Sequence, residues 1–284
     1  MATNPWWRSG GSDPCRSAVH AYRTTESFFT HERPEAARET VMLEIENLHV
    51  SVGEKEILHD VTFTVGTGET HALMGPNGSG KTTLLMAIMG FGDATVTEGS
   101  IIYNGEDITR LSLKERAQKG FGMMFQRPPT IAGLKLGKLL EVTSEHRIDL
   151  VHDYARTLSM EPMLDRDINK GFSGGEIKRS EVLQLMVQQP DFLLFDEPES
   201  GVDIENMAVI GNAIAHLLEK DVHIIHRKKS GLIITHTGFI LDYIDVDAGH
   251  VLVDGSIKCH GNPREILRVV KRSSYRECVT CDQV

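Results

Sequence analysis

Between residues 75 and 82 the chain reads Gly-Pro-Asn-Gly-Ser-Gly-Lys-Thr, preceded by the apolar run Ala72 to Met74 and followed by Thr83-Leu84-Leu85-Met86-Ala87-Ile88-Met89. A buried strand that turns through a Gly-rich loop into a helix leaves few folds open. Glycines at 75, 78 and 80 let the backbone curl so that successive N–H groups face an anion, and the following helix adds the positive end of its dipole. Lys81 supplies a mobile charge for β and γ phosphates, and the Thr82 hydroxyl is placed to ligate magnesium. A chance match in a chain this long has odds of about one per cent. The stretch therefore implies a nucleoside triphosphate with Mg2+, held by Gly75, Pro76, Asn77, Gly78, Ser79, Gly80, Lys81, Thr82 and Thr83.

The bulk properties narrow the partners. A formal net charge of −10 over 284 residues argues against nucleic acid or an anionic membrane surface as the main partner, since either demands a basic face. No apolar run is long enough to cross a bilayer, and the first thirty residues carry no apolar signal-peptide core. A cytoplasmic protein without direct membrane insertion is expected. Four cysteines, Cys15, Cys259, Cys278 and Cys281, are too few for a disulfide framework.

Residues 1–41 read as a disordered extension, with Ser9-Gly10-Gly11-Ser12, the only tryptophans (Trp6 and Trp7) and a short helix around Glu35 to Glu39. From Met42, alternation at Leu43, Ile45, Leu48, Val50 and Val52, repeated at Val61, Phe63 and Val65, predicts two strands joined near Gly53. Ser100 to Tyr103 and Phe121 to Phe125 read as further strands, and Ser112 with Glu115 as a capping box. Pro128-Pro129 opens a stretch of helical character, and residues from about 135 to 170 hold no strand candidate, so an all-helical insertion is expected with a turn near Pro162. A helix from about 176 to 188, a strand Phe192 to Phe195, a helix from about 203 to 218, a strand Leu232 to Thr235 and a helix from about 237 to 244 follow. A hairpin at Asp254-Gly255 and a helix opened by Asn262-Pro263 complete the order. This alternation implies an α/β fold with a mostly parallel sheet and helices on both faces.

A phosphate loop alone leaves kinases, GTPases, helicases and transport ATPases open. Asp196 closes an apolar strand whose carboxyl end points at the nucleotide crevice, where a second magnesium contact is needed. Glu197 beside it is placed to orient or deprotonate an attacking water. With these residues in this order, the chain resembles the ATP-binding cassette (ABC) family. The Walker A loop lies at Gly75 to Thr82, a Q-loop glutamine at Gln126, the signature at Ser173-Gly174-Gly175-Glu176, Walker B at Asp196-Glu197, a D-loop from Glu199 to Asp203 and a switch histidine at His236.

The resemblance implies a P-loop cassette over residues 42–270, with an N-terminal antiparallel β subdomain and a helical subdomain inserted at about 128–188; residues 271–284 form a tail. It also implies catalytic roles for Lys81, Gln126, Glu197 and His236, and Mg2+ on Thr82, Gln126 and Asp196. Two copies would transiently sandwich ATP, with the signature of one chain facing the γ phosphate bound by the other. Val52 stands where many members stack an aromatic on adenine, so ATP over GTP is a family inference.

A finer resemblance is to the SufC-like ATPases of the SUF iron–sulfur cluster assembly system, carried by Gly171 to Glu176 with Lys178-Arg179, by Glu199 to Ile204 and by Ile240 to Ile244. It implies SufB- and SufD-like scaffold proteins as partners. The rival expectations are the ATP-binding subunit of a membrane transporter and a regulatory ABC protein acting on ribosomes or DNA. His223 to Lys229 reads as a basic surface loop with metal binding as the alternative, and Cys278 with Cys281 as terminal thiols with a shared metal site as the alternative.

Overall fold

The computed structural model describes residues 41–272, 274 and 275. The N-terminal extension with Trp6 and Trp7, the helix expected near Glu35, Cys15 and the Cys278/Cys281 pair lie outside these residues.

Apolar alternation drives the first unit. In β1 (Val41–Val52), Leu43, Ile45, Leu48 and Val50 are buried, and β2 (Lys55–Gly66) returns antiparallel with Val61, Phe63 and Val65 inward. With β4 (Ala94–Tyr103) and β5 (Glu106–Asp107) they form a four-stranded sheet in the order β2-β1-β4-β5. β4 begins six residues before the predicted strand start, because its first half pairs with the end of β1.

The second sheet has the order β12-β11-β3-β10-β9-β6, from β3 (Thr70–Met74), β6 (Phe121–Met124), β9 (Phe192–Asp196), β10 (Ser230–Ile234), β11 (Ala248–Val253) and β12 (Ser256–Gly261). Its strands run parallel except the edge strand β12, which is antiparallel to β11. Its central strands are buried on both faces, and the alternation of their mostly apolar side chains divides two cores. Leu73, Leu194, Leu232 and Leu252 face the antiparallel sheet and α1 (Lys81–Met89). Met74, Phe195, Ile233 and Val251 face α5 (Gly174–Gln188), α6 (Ile204–Leu217) and α7 (Pro263–Arg272). The last of these crosses the expected boundary at 270. β3, β10 and β9 end side by side, with Ile234 opposite both Leu73 and Asp196, which brings the Walker A loop, the residues after β10 and the end of Walker B to one edge.

Two expectations need correction. The insertion is not all-helical: besides α3 (Leu136–Thr143) and α4 (Ile148–Thr157) it contains a small sheet, β7 (Ile131–Lys135) antiparallel to β8 (Asp167–Ile168). A two-residue strand carries no periodicity, and β8 exists because Ile168 buries against the insertion core while Asn169 Nδ2 donates to Pro129 O at 2.9 Å. The helix expected from about 237 to 244 is only a 3₁₀ turn, Phe239–Asp242. Gly238 precedes it at φ 75°, and its N–H goes to Thr235 Oγ1. α2 (Leu113–Gln118) does carry the Ser112/Glu115 capping box.

His250 on β11 is buried beside His71 on β3, and burial is the main cause that pushes its pKa down to about 3. Glu69 accepts from His71 Nε2 at 3.1 Å, which leaves His71 Nδ1 to accept from His250 Nε2 at 2.9 Å, so His250 is held neutral as the Nε2–H tautomer. The folded pKa lies below the unfolded value of about 6.5. The stability this group contributes is thus complete above pH 6.5 and declines as pH falls toward 3, at roughly 1.4 kcal/mol per unit. Between pH 7 and pH 5 the wild type is expected to lose about 2 kcal/mol more than His250→Gln in urea unfolding. Parallel pH profiles would remove His250 from the acid response.

Candidate functional site

The Walker A loop leaves β3 and curls under β11. Gly75 has φ 154°, and a Cβ there would lie 2.1 Å from Leu252 O, so a side chain is excluded by the neighbouring backbone. Gly80 caps α1 without a side chain, and the first turn of that helix carries no acidic group, which leaves its N–H groups and dipole for an anion. Lys81 is buried, and its Nζ donates to Gly75 O at 2.9 Å and Pro76 O at 2.8 Å, so the ammonium lies within the curl of the loop. Burial pulls its pKa down to about 8, against the opposing pull of Glu197 and Asp196. Asn77 and Gly78 form the exposed rim, Pro76 and Thr83 are half-buried, and Ser79 is buried.

Asp196 is 2% exposed at the end of β9, and Thr82 Oγ1 donates to its Oδ2 at 3.0 Å. Burial pushes its pKa up, opposed by the Thr82 hydrogen bond. Its Oδ1, like Ser79 Oγ in the loop, is buried with no hydrogen-bond partner. An unpartnered buried carboxylate oxygen beside a threonine hydroxyl is a donor set of the kind a hard cation takes, so the residues present fit Mg2+. Thr82 and Asp196 would hold it, with Gln126 through its amide oxygen. When bound, such a cation neutralises charge on phosphate oxygens.

Glu197 follows Asp196 in the left-handed region, φ 48°, and precedes Pro198, an uncommon conformation that costs of order 1–3 kcal/mol. It turns the carboxylate toward two partners. Gln126 Nε2 donates to Oε2 at 2.6 Å, and His236 Nε2 closes on Oε1 in a short polar contact. The structure thus gathers Gln126, Glu197 and His236 in one group, and Lys81, Thr82 and Asp196 in another beside it.

The signature residues are not part of that group. Ser173 N-caps α5 through a capping box in which Glu176 Oε2 accepts from Ser173 N at 2.7 Å. Gly174 lies against the D-loop, where a Cβ would approach Gly201 O to 2.6 Å. Asp203 N-caps α6, accepting from Asn206 N and Nδ2 at 2.8 Å. Ser173, Gly174 and Asp203 face solvent at one exposed edge, and Gly175 is buried beneath it.

Three side chains to which sequence reasoning assigned no positioning role hold this arrangement. Lys178, in the buried face of α5, donates to Phe125 O at 2.7 Å and Gln126 O at 2.9 Å; Glu181, one turn on, accepts from Phe125 N at 2.9 Å. Glu199 Oε1 accepts from Thr235 Oγ1 and, at 3.2 Å, from Thr237 Oγ1, the two residues flanking His236. The one signal for the first pair was opposite charge at i, i+3 in a helix otherwise apolar toward the core. The segment His223 to Lys229 forms a 3₁₀ turn, Ile224–His226, and Glu219 Oε2 accepts from Lys228 N at 2.6 Å. Among the described residues no helix is long and apolar enough to cross a membrane.

Comparison with known proteins bears on this geometry. Residues 58–200 match the family model described as ABC transporter. A Streptococcus pyogenes protein named as a probable ABC transporter ATP-binding protein is 39% identical over 244 residues, 81% of this chain and 92% of its own length. An Escherichia coli protein named probable ATP-dependent transporter SufC is 39% identical over 236 residues, 78% of this chain and 92% of its own. The solved ADP conformation of an ATP-binding cassette from an ABC transporter superposes with a TM-score of 0.68 at 25% identity, over 85% of this chain and 98% of that one. With the family model covering half of its length and these relatives aligned across most of it, the chain belongs to the ABC family and is one of its ATPases.

Proposed function

We propose that this chain is the ATP-hydrolysing subunit of a SUF-type iron–sulfur cluster assembly complex, working in the cytoplasm, and that nucleotide-driven pairing of two copies moves a scaffold of SufB- and SufD-like proteins. The observation that carries the reading is the 39% identity with the E. coli protein named SufC. In this reading Lys81 and the loop N–H groups hold the triphosphate, and Thr82, Asp196 and Gln126 hold Mg2+. Glu197 takes the proton of the attacking water, His236 reports the γ phosphate, and Ser173 to Glu176 with Asp203 complete the site of the opposite copy. A second reading, the ATP-binding subunit of a membrane transporter, is favoured by the name of the streptococcal relative.

The two separate in an affinity capture with the Glu197→Gln form and ATP, from native cytosol and from detergent-solubilised membranes. Soluble scaffold proteins carrying iron and sulfide are the expected catch. A transmembrane permease in their place would transfer the ATP chemistry to the transporter reading.

A further inference from the structure

A second cluster of ligating side chains lies on the exposed face of the antiparallel sheet, outside the nucleotide site. Its geometry begins with strand register. β1 and β2 pair Val50 with Leu58 but Ser51 with Glu56, so the register slips by one and Ile57 is an extra residue on β2. In a regular strand Glu56 and His59, three apart, would point to opposite faces; the bulge puts them on the same one. Glu56 pairs with Ser51, and Ser51 shares its face with His49, two residues away on β1. The bulge therefore gathers three side chains that plain alternation would separate.

Their atoms converge. His49 Nδ1 lies 2.7 Å from Glu56 Oε1, and His59 Nδ1 lies 3.3 Å from Glu56 Oε2. The two imidazoles meet edge-on with centroids 6.5 Å apart, and the ligand atoms of all three residues lie within 4.8 Å of one another. Tetrahedral coordination with bonds of about 2.0–2.1 Å separates ligand atoms by about 3.3 Å, a spacing that small side-chain rotations reach from here. Glu98, the cross-strand partner of His49, and Asp60 add negative charge to the surroundings.

We infer that His49, Glu56 and His59 form a site for a divalent transition metal, with Zn2+ the ion that suits two imidazoles and a carboxylate best. The side chains are 27%, 45% and 43% exposed, so the fourth position faces water. The site is mechanically tied to the phosphate loop. Ile57 and Leu58 pack on Gly80, His59 N donates to Gly255 O at 2.8 Å, and Gly255 N donates to Ser79 O at 3.1 Å. A metal here pins the β1–β2 hairpin at the point where it supports that loop. The competing reading is a solvent-screened histidine–carboxylate pair with no affinity for metal.

Co2+ distinguishes the two, because its visible absorption reports four-coordinate binding. The full chain, stripped with chelator, is titrated with Co2+ in excess Mg2+, in a Cys278→Ser/Cys281→Ser background so that those thiols contribute nothing. One Co2+ per chain, displaced by Zn2+, is expected, with affinity reduced at least about tenfold both in His49→Asn/His59→Asn and in Glu56→Gln. Because none of the three positions is buried in the core, far-UV spectra of the variants should match the parent. Equal Co2+ affinity and spectra in the parent and both variants, or no four-coordinate spectrum in the parent, would overturn the assignment.

Discussion

Glu197→Gln is expected to slow ATP turnover by about 10²–10⁴-fold while ATP binding persists. The carboxylate accepts a hydrogen bond from Gln126 Nε2 on one oxygen and faces His236 Nε2 on the other. A glutamine keeps the size and one carbonyl oxygen but has no basic oxygen to receive a proton from water. The contacts that hold the phosphate loop do not involve it: Lys81 donates to Gly75 O and Pro76 O, and Thr82 donates to Asp196. The loss therefore falls on the chemical step. Phosphate release and equilibrium binding of ATP, measured on the same preparation, separate the two quantities. Turnover within a few-fold of wild type would remove Glu197 as the base, and loss of ATP binding would mean that its carboxylate supports the loop instead.

The parts of this site that were legible from sequence are those whose chemistry is local. The Gly-rich run into Lys81 and Thr82 is complete within eight residues, and the acidic end of a uniformly apolar strand at Asp196 declares itself within five. Strand alternation at Leu43, Ile45 and Val50 likewise needs no remote partner to be read. What was not legible depends on residues far away in sequence. β8 requires Ile131 to pair with Ile168, and the break at Gly238 depends on the side chain of Leu267, which fills the space a Cβ would take. In the sequence Lys178 is one charge beside Glu176 and Arg179, although its partners are carbonyls 52 and 53 residues upstream. Ser173 and Glu176 show a further limit. Read as a nucleotide-facing signature, they also form a helix cap, so one set of residues satisfies a folding requirement and is available to a second chain.

Lys178 is where fold and chemistry are hardest to separate, and its replacement has the largest expected effect on stability. The side chain is 3% exposed, and Glu181 is 3.8 Å away and similarly buried. Burial is the main cause that lowers the Lys178 pKa and pushes Glu181 up to about 7. Desolvation of this pair is thus offset by hydrogen bonds to the backbone of Phe125 and Gln126 as well as by mutual attraction. Lys178→Met strands two part-buried carbonyls and a buried acid. A loss of about 3 kcal/mol is expected, limited by protonation of Glu181, with Tm lower by roughly 6–12 °C. Adding Glu181→Leu should recover much of that stability, because an apolar pair of similar volume removes both ions from the core. Turnover should not recover with it, since neither apolar side chain can hold Gln126 O and fix the amide that donates to Glu197. Thermal unfolding and ATPase rates of the single and double variants test the two halves independently. A double variant that regained full activity would show that Gln126 is positioned without Lys178, and one no more stable than the single variant would show that the pair itself does not carry the cost.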